Sequence, residues 1–265
     1  MADSRKESDE ILLLATQLAR EAGAIQRQRY ETELQIDTKS ESIDLVTDVD
    51  RECEALIVES LRRAQPDDAI LAEEGTGHSI DGARRRWIVD PLDGTTNYAH
   101  GYPRFCVSIG VEEGGRPEVG VVYDPLLEEL YHAVRGGGAF LNGRRLRVSQ
   151  ESQLEKALVA TGFAYDVRKN RQDNVAEFGR FIKAARAVRR DGSAALDLCY
   201  VAAGRLDGYW EFALHAWDVA AGFLIVEEAG GRCSDFHGGP ARRSGEETLA
   251  SNGLVHEAML AILQA

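Results

Sequence analysis

The stretch Trp87-Ile-Val-Asp90-Pro-Leu-Asp93-Gly94-Thr95-Thr96-Asn97 runs from apolar residues into a dense group of acids and turn formers. Trp87 to Val89 reads as a short strand ending at Asp90. Pro91 and Gly94 then bend the chain sharply, and a short helix can start at Thr95. A turn of this kind lets the carboxylates of Asp90 and Asp93 meet on one divalent cation. It also aims the backbone N–H groups of Gly94, Thr95 and Thr96 toward an anion. Cation beside helix start is a way to build a phosphate-cleaving site, and an oxygen-only donor set selects magnesium or manganese over zinc. The spacing alone leaves a second reading open, because Asp-Pro and Asp-Gly are common turn formers.

Upstream, Ala69 to Ala72 reads as another short strand, ending in Glu73-Glu74, which is either a second strand-end acid or a solvated exit. Ile11, Ala15, Leu18, Ala22 and Ile25 form one apolar stripe of an opening helix. Asp37 to Ile43 reads as a mobile polar loop. Asp44-Leu-Val-Thr-Asp-Val-Asp50 leads into a second helix carrying Cys53, Leu56, Ile57, Leu61 and Ala64 on one face, with Asp48 the expected N-cap and Asp50 in the first turn. Downstream, Phe105–Val111, Val119–Tyr123 and Leu130–Val134 read as consecutive antiparallel strands, and Asn142-Gly143 signals a hairpin. Beyond residue 150 the elements alternate. Strands are expected at Leu158–Thr161, Ala187–Arg189, Leu206–Phe212, Gly231–Ser234 and Thr248–Ser251, and helices at about 172–186, Ser193–Ala203, Val219–Glu228 and from Leu254.

The 265 residues suit one large or two small domains, and no linker composition separates them. Two packed parts are therefore expected: residues 1–150, an N-terminal α+β part, and residues 151–265, a C-terminal α/β part. With 31 basic against 44 acidic residues the net charge is −13, which disfavours bulk binding to nucleic acid or an anionic membrane. The opening MADSRKESDE lacks the apolar core of a signal peptide, and the first apolar run is far too short to span a bilayer. Cys53, Cys106, Cys199 and Cys233 form no CxxC pair and suit a reducing cytoplasm as small buried hydrophobes. Arg84-Arg85-Arg86 reads as a solvated basic triplet, with phosphate steering as the other option. Gly136-Gly-Gly138 reads as a hairpin end, and the histidines show no ligand spacing.

The Trp87–Asn97 string resembles a signature of the inositol monophosphatase family, within the magnesium-dependent, lithium-sensitive phosphatases. A second signature is matched by Trp217-Asp218-Val-Ala-Ala-Gly222. The acids of Asp44–Asp50 and Glu73-Glu74 also fall at family-like positions, so the resemblance spans nearly the whole chain. It implies an α/β (α+β) layered sandwich of the αβαβα sugar-phosphatase type, usually a homodimer. It further implies two to three Mg2+ ions per site, with Mn2+ a possible substitute. Glu73, Asp90 and the Leu92 carbonyl would hold the first ion, Asp90, Asp93 and Asp218 the second, and Glu73 a weaker third. Asp50 would pair with Thr95, and with Glu73 they would orient and activate a water that attacks phosphorus directly. Asp218 read without the family is a helix N-cap. Lys39 matches a family lysine near the site but reads, by itself, as solvated.

The same resemblance implies that Asp93, Gly94 and Thr95 meet the phosphate and that Gly192, Ser193, Ala194 and Glu211 line the alcohol pocket. A carboxylate accepting from two hydroxyls reads a polyol, whereas the plain alternative for Glu211 is an exposed strand end. The expected reaction is hydrolysis of myo-inositol 1-phosphate or a similar polyol or sugar phosphate. The alternatives are fructose 1,6-bisphosphate, histidinol phosphate, 3′-phosphoadenosine 5′-phosphate, and, in another class, a transcription-associated binding role. Arg189, Arg190 and Asp191 match a region near the dimer contact of relatives, where a charged Asp191 is unusual.

Overall fold

A computed structural model describes residues 2–265, with side chains from residue 5 onward; Met1 of the polar opening lies outside the described residues. The chain runs α1 (Ala2–Arg29), the antiparallel pair β1 (Ile36–Thr38) and β2 (Leu45–Thr47), α2 (Asp48–Ala64), β3 (Ala69–Ala72), β4 (Arg85–Asp93) and α3 (Thr95–Ala99). A meander follows: β5 (Cys106–Glu113), β6 (Arg116–Asp124), β7 (Glu129–Val134), β8 (Gly138–Leu141) and β9 (Arg144–Arg145). The rest is β10 (Leu158–Thr161), α4 (Val175–Ala184), β11 (Ala187–Arg189), α5 (Ala194–Ala202), β12 (Gly208–Phe212), α6 (Ala216–Glu228), β13 (Arg232–Ser234), β14 (Glu247–Ser251) and α7 (His256–Leu263).

Two sheets organise the molecule. The larger has the order β3-β4-β5-β6-β7-β8-β9, parallel only between β3 and β4. The smaller has the order β11-β10-β12-β14-β13, with β10 parallel to both neighbours. Alternation along the strands sends their two faces into different cores. Val107, Ile109 and Val121 pack with Leu18 of α1 and Ile57 and Leu61 of α2. Val122, Tyr131 and Ala133, on the opposite face, pack with Leu198 of α5, Leu224 of α6 and Tyr209 of β12. Trp210, next to Tyr209, faces the other way and stacks on Phe181 of α4, with Met259 of α7 in the same core. The result is the expected layered α/β sandwich, helix and sheet alternating through five layers.

One close approach places the site. Gly110 and Gly120 are direct cross-strand partners on β5 and β6. A Cβ at Gly110 would lie 2.6 Å from Ala220 Cβ, and one at Gly120 would lie 2.7 Å from the Ala221 carbonyl oxygen. Bare backbone there lets α6 press onto the larger sheet, with its N-terminus toward the end of β4.

Several local expectations are corrected. β4 does not stop at Asp90 but continues to Asp93 through an irregularity. Asp37 and Thr38 belong to β1, so the polar loop starts after them. The N-cap of α2 is Thr47, not Asp48: its hydroxyl accepts from the N–H groups of Val49 and Asp50, and the Asp50 carboxylate accepts in return from the Thr47 N–H. Arg85 is not solvated. It is buried, donating to Asp68 at 3.0 Å and pairing with Glu7. Among the described residues, no helix is long and apolar enough to cross a membrane.

Candidate active site

Asp90 and Asp93 are three residues apart, so a regular strand would turn them to opposite faces. The pairing shifts here: Asp90 opposes Ser108 and Asp93 opposes Cys106, three steps on β4 against two on β5. The extra residue of this bulge brings both carboxylates to one side. Pro91 needs no ladder partner for its missing N–H, and its carbonyl accepts from Gln26 of α1 at 2.7 Å. Asp218 arrives from the first turn of α6, where it accepts from the His215 N–H at 2.6 Å. His215, rather than Asp218, is the N-cap. The three aspartates then offer carboxylate oxygens within 4.8 Å of one another.

Burial, followed by the charges of Glu73, Asp93 and Asp218, pushes the Asp90 carboxyl well above the usual range. Burial likewise raises Asp93, against hydrogen bonds from Ser193 Oγ (2.6 Å) and the Ala195 N–H (2.8 Å). Asp218 is raised by burial and by the charges of Asp93 and Glu73. Converging carboxylates, those of Asp90 and Asp93 buried and that of Asp218 half-buried, repel one another, and an oxygen-only set of this kind fits a hard divalent cation. The donor chemistry therefore suits a metal.

Glu73 follows β3 and lines the same pocket as the aspartates. Its neighbour Glu74 is fixed through the backbone by Glu54 of α2, a buried carboxylate that accepts from the N–H groups of Glu74 (2.6 Å) and Thr76 (2.9 Å). Lys39 is not a solvated loop lysine: its Nζ reaches Glu73 at 2.7 Å and Glu74 at 2.5 Å. Burial opposes the ammonium charge, yet the two carboxylates hold the Lys39 pKa above its ordinary value.

Thr95 Oγ1 donates to Asp50 Oδ1 at 2.8 Å and lies 3.1 Å from the Leu92 carbonyl. Asp50 is buried within α2 and also accepts from the Thr47 hydroxyl at 2.6 Å. Burial pushes its carboxyl up to about 6, against the hydrogen bonds of Thr47 and Thr95 and with the added charge of Glu73. Gly94 turns the chain into α3 at φ 97°, a conformation disfavoured for other residues, and a Cβ there would meet the Arg104 carbonyl at 2.8 Å.

Gly192, Ser193, Ala194 and Glu211 line the same pocket, joined by Gly162, Tyr165 and Arg190. Glu211 is a buried side chain of β12, not an exposed strand end. It accepts from the Tyr209 hydroxyl two residues earlier, on the same face of the strand. Burial raises it to about 7, against the Tyr209 hydrogen bond and the Arg190 charge. Gly162 is the floor beneath it, since a Cβ there would lie 2.1 Å from the Glu211 carboxylate. Every predicted site residue thus lines this pocket or bonds to one that does. Sequence reasoning missed Glu54, Tyr209, Gly162 and the role of Thr47. Only Thr47 carried a readable signal, a Thr-x-x-Asp start to a helix.

The family model described as "Inositol monophosphatase family" matches residues 7–265. The chain is similar to the protein of Synechocystis sp. named inositol-1-monophosphatase, with 46% identity over 255 residues, 96% of this chain and 88% of that one. It is also similar to the Nus factor SuhB of Salmonella typhimurium, with 44% identity over 252 residues, 95% of this chain and 94% of that one. Among solved structures it resembles the inositol monophosphatase of Anabaena (Nostoc), with a TM-score of 0.87, 42% identity and coverage of 97% and 96% of the two chains.

Proposed function

From the premise that the chain belongs to the inositol monophosphatase family and is a phosphoric monoester hydrolase, we propose that it hydrolyses myo-inositol 1-phosphate or a closely similar polyol phosphate with Mg2+. The observation that carries this reading is a single pocket lined both by the Asp90–Asp93–Asp218 cluster and by the buried carboxylate of Glu211, which would read the substrate hydroxyls. Glu73, Asp90, Asp93, Asp218 and the Leu92 carbonyl would hold two to three Mg2+ or Mn2+ ions. When bound, these neutralise phosphate charge, lower the pKa of water and stabilise the leaving oxygen.

The protein's own groups divide the remaining work. The Thr95 hydroxyl donates its hydrogen bond to Asp50, so its oxygen is left to accept one from a water entering the pocket. Asp50, raised to about 6, is basic enough to draw a proton through Thr95 at neutral pH. Gly94, Thr95 and Thr96 line the pocket at the start of α3, where the first N–H groups have no partner within the helix and suit phosphate oxygens. Glu211 accepts from substrate hydroxyls, with Tyr209 fixing its orientation. Phosphate release from myo-inositol 1-phosphate, with Mg2+ titrated from zero, tests the reading. We expect cation-dependent turnover that drops by at least about a hundredfold in Asp93→Asn. Cation-independent turnover, or full activity in that variant, sinks it.

The same reading extends to a homodimer in the cytoplasm, and light scattering of the purified protein checks the dimer. A transcription-associated role is the second reading, supported by the relatives named Nus factor SuhB. A cellular phenotype fully kept by Asp93→Asn would favour it over catalysis.

A further inference from the structure

Glu54 is fully buried, four residues after Asp50 on α2. At that spacing the two acids share one face of the helix. Asp50 meets Thr95, and Glu54 meets the turn that follows β3. Its Oε2 accepts from the Glu74 N–H at 2.6 Å. Its Oε1 accepts from the Thr76 N–H at 2.9 Å and from the Thr76 hydroxyl at 2.8 Å. Three uncharged donors, two of them peptide groups, thus serve a carboxylate that has left water.

The turn it grips bends at Gly75, where φ is 86°. Its near end is tied to β4, since the Glu73 N–H donates to the Val89 carbonyl at 3.2 Å. Glu73 lines the pocket beside Asp90, and its charge bears on Asp90, Asp93 and Asp218 alike. Lys39 holds the side chains of Glu73 and Glu74, whereas Glu54 holds the backbone after them. Like charges repel, so the Lys39 contact works against a cation at Glu73, and the backbone clamp carries no such conflict. We propose that Glu54 is a positioning residue for the cation site: by fixing the backbone after Glu73 it keeps that carboxylate in the pocket and sets the affinity for the divalent ion. The proposal rests on Glu73 as a cation ligand, the reading given above. It deepens that reading by making α2 the common support of the Asp50–Thr95 pair and of Glu73.

The Mg2+ affinity of the cation-free protein is measured by calorimetry for the wild type, Glu54→Gln, Glu73→Gln and the double variant. Glutamine keeps the shape but turns an NH2 group toward one of the peptide N–H groups, so a donor faces a donor. Glu54→Gln is expected to raise Kd by about tenfold or more, the usual effect of freeing a ligand from its support. Glu73→Gln is expected to raise it at least as much, and the double variant to match Glu73→Gln alone, because Glu54 acts through that residue. A general loosening of the fold would add its own loss in the double variant, and that result overturns the proposal. An unchanged Kd in Glu54→Gln also overturns it, provided Glu73→Gln has weakened binding. An unchanged Kd in Glu73→Gln shows that Glu73 is no ligand, and the reading beneath the proposal then fails with it. If Glu54→Gln does not fold, Thr76→Val takes its place, removing one of the three bonds at an exposed residue. It is expected to raise Kd about two- to threefold, and a wild-type value overturns the proposal.

Discussion

Thr47 shows how much one side chain does here. Its hydroxyl donates to Asp50 at 2.6 Å and accepts from the Val49 N–H at 3.1 Å, so one group caps α2 and fixes a carboxylate beside Thr95. Replacement by valine keeps the shape and removes both bonds. Thr47→Val is expected to lose about 1–2 kcal/mol of stability in urea denaturation, the usual worth of an N-cap. A midpoint unchanged within error would mean that the cap contributes nothing. At this scale the acids were legible, because Asp90, Asp93 and Asp218 sit in strings whose turn formers and helix start give each a physical reason. Lys39 was placed near the site only by the family resemblance: its partners Glu73 and Glu74 lie 34 and 35 residues away, and no local pattern encodes that meeting. Arg85 failed for the same reason, since Asp68 and Glu7 remove it from solvent only once β4 is paired. Tyr209 reads as an ordinary strand aromatic until Glu211 is seen beside it.

Most helices and the longer strands were legible in type and order, whereas the short strands β1, β2, β8 and β9 were not, and contacts were less legible still. The antiparallel run after residue 105 and the alternation after residue 150 both follow from period-two and helical apolar spacing. The bulge between Asp90 and Asp93 did not, because a register shift belongs to two strands and only one contains the signal. The seat of α6 is likewise a property of a pair, Gly110 with Gly120, which are neighbours only across the ladder. Gly110→Ala puts a methyl group 2.6 Å from Ala220 Cβ, so α6 must shift or the sheet must bend. Overpacking of this kind is expected to destabilise the protein by about 1–3 kcal/mol. Because α6 carries Asp218, phosphatase turnover measured well below the melting temperature is also expected to fall. A variant that melts and turns over like the wild type would show that α6 is not seated by this contact.

Across the whole molecule, a net charge of −13 and an acid cluster with Asp90 and Asp93 buried and Asp218 half-buried work in the same direction. Asp90, Asp93 and Asp218 are raised in the folded state, chiefly by burial and then by one another. A carboxyl raised on folding favours the native state while both states hold the proton, and that advantage is lost as pH rises through the folded value. The cation-free protein therefore carries an electrostatic cost at neutral and alkaline pH that is relieved in acid. A divalent cation that binds only the native state offsets that cost, by about 2.7 kcal/mol at a concentration of 100 Kd. For a chain of this size that corresponds to a rise of roughly 5–10 °C in melting temperature. Thermal unfolding with saturating Mg2+ against a chelator is expected to show such a rise at pH 8, and a smaller one at pH 5, where protons compete for the same oxygens. In Asp93→Asn the rise is expected to shrink at both pH values, since one of the three converging carboxylates is gone. A rise of equal size at pH 8 and pH 5, or one unaffected by the substitution, would place the stabilising cation elsewhere on this acidic surface.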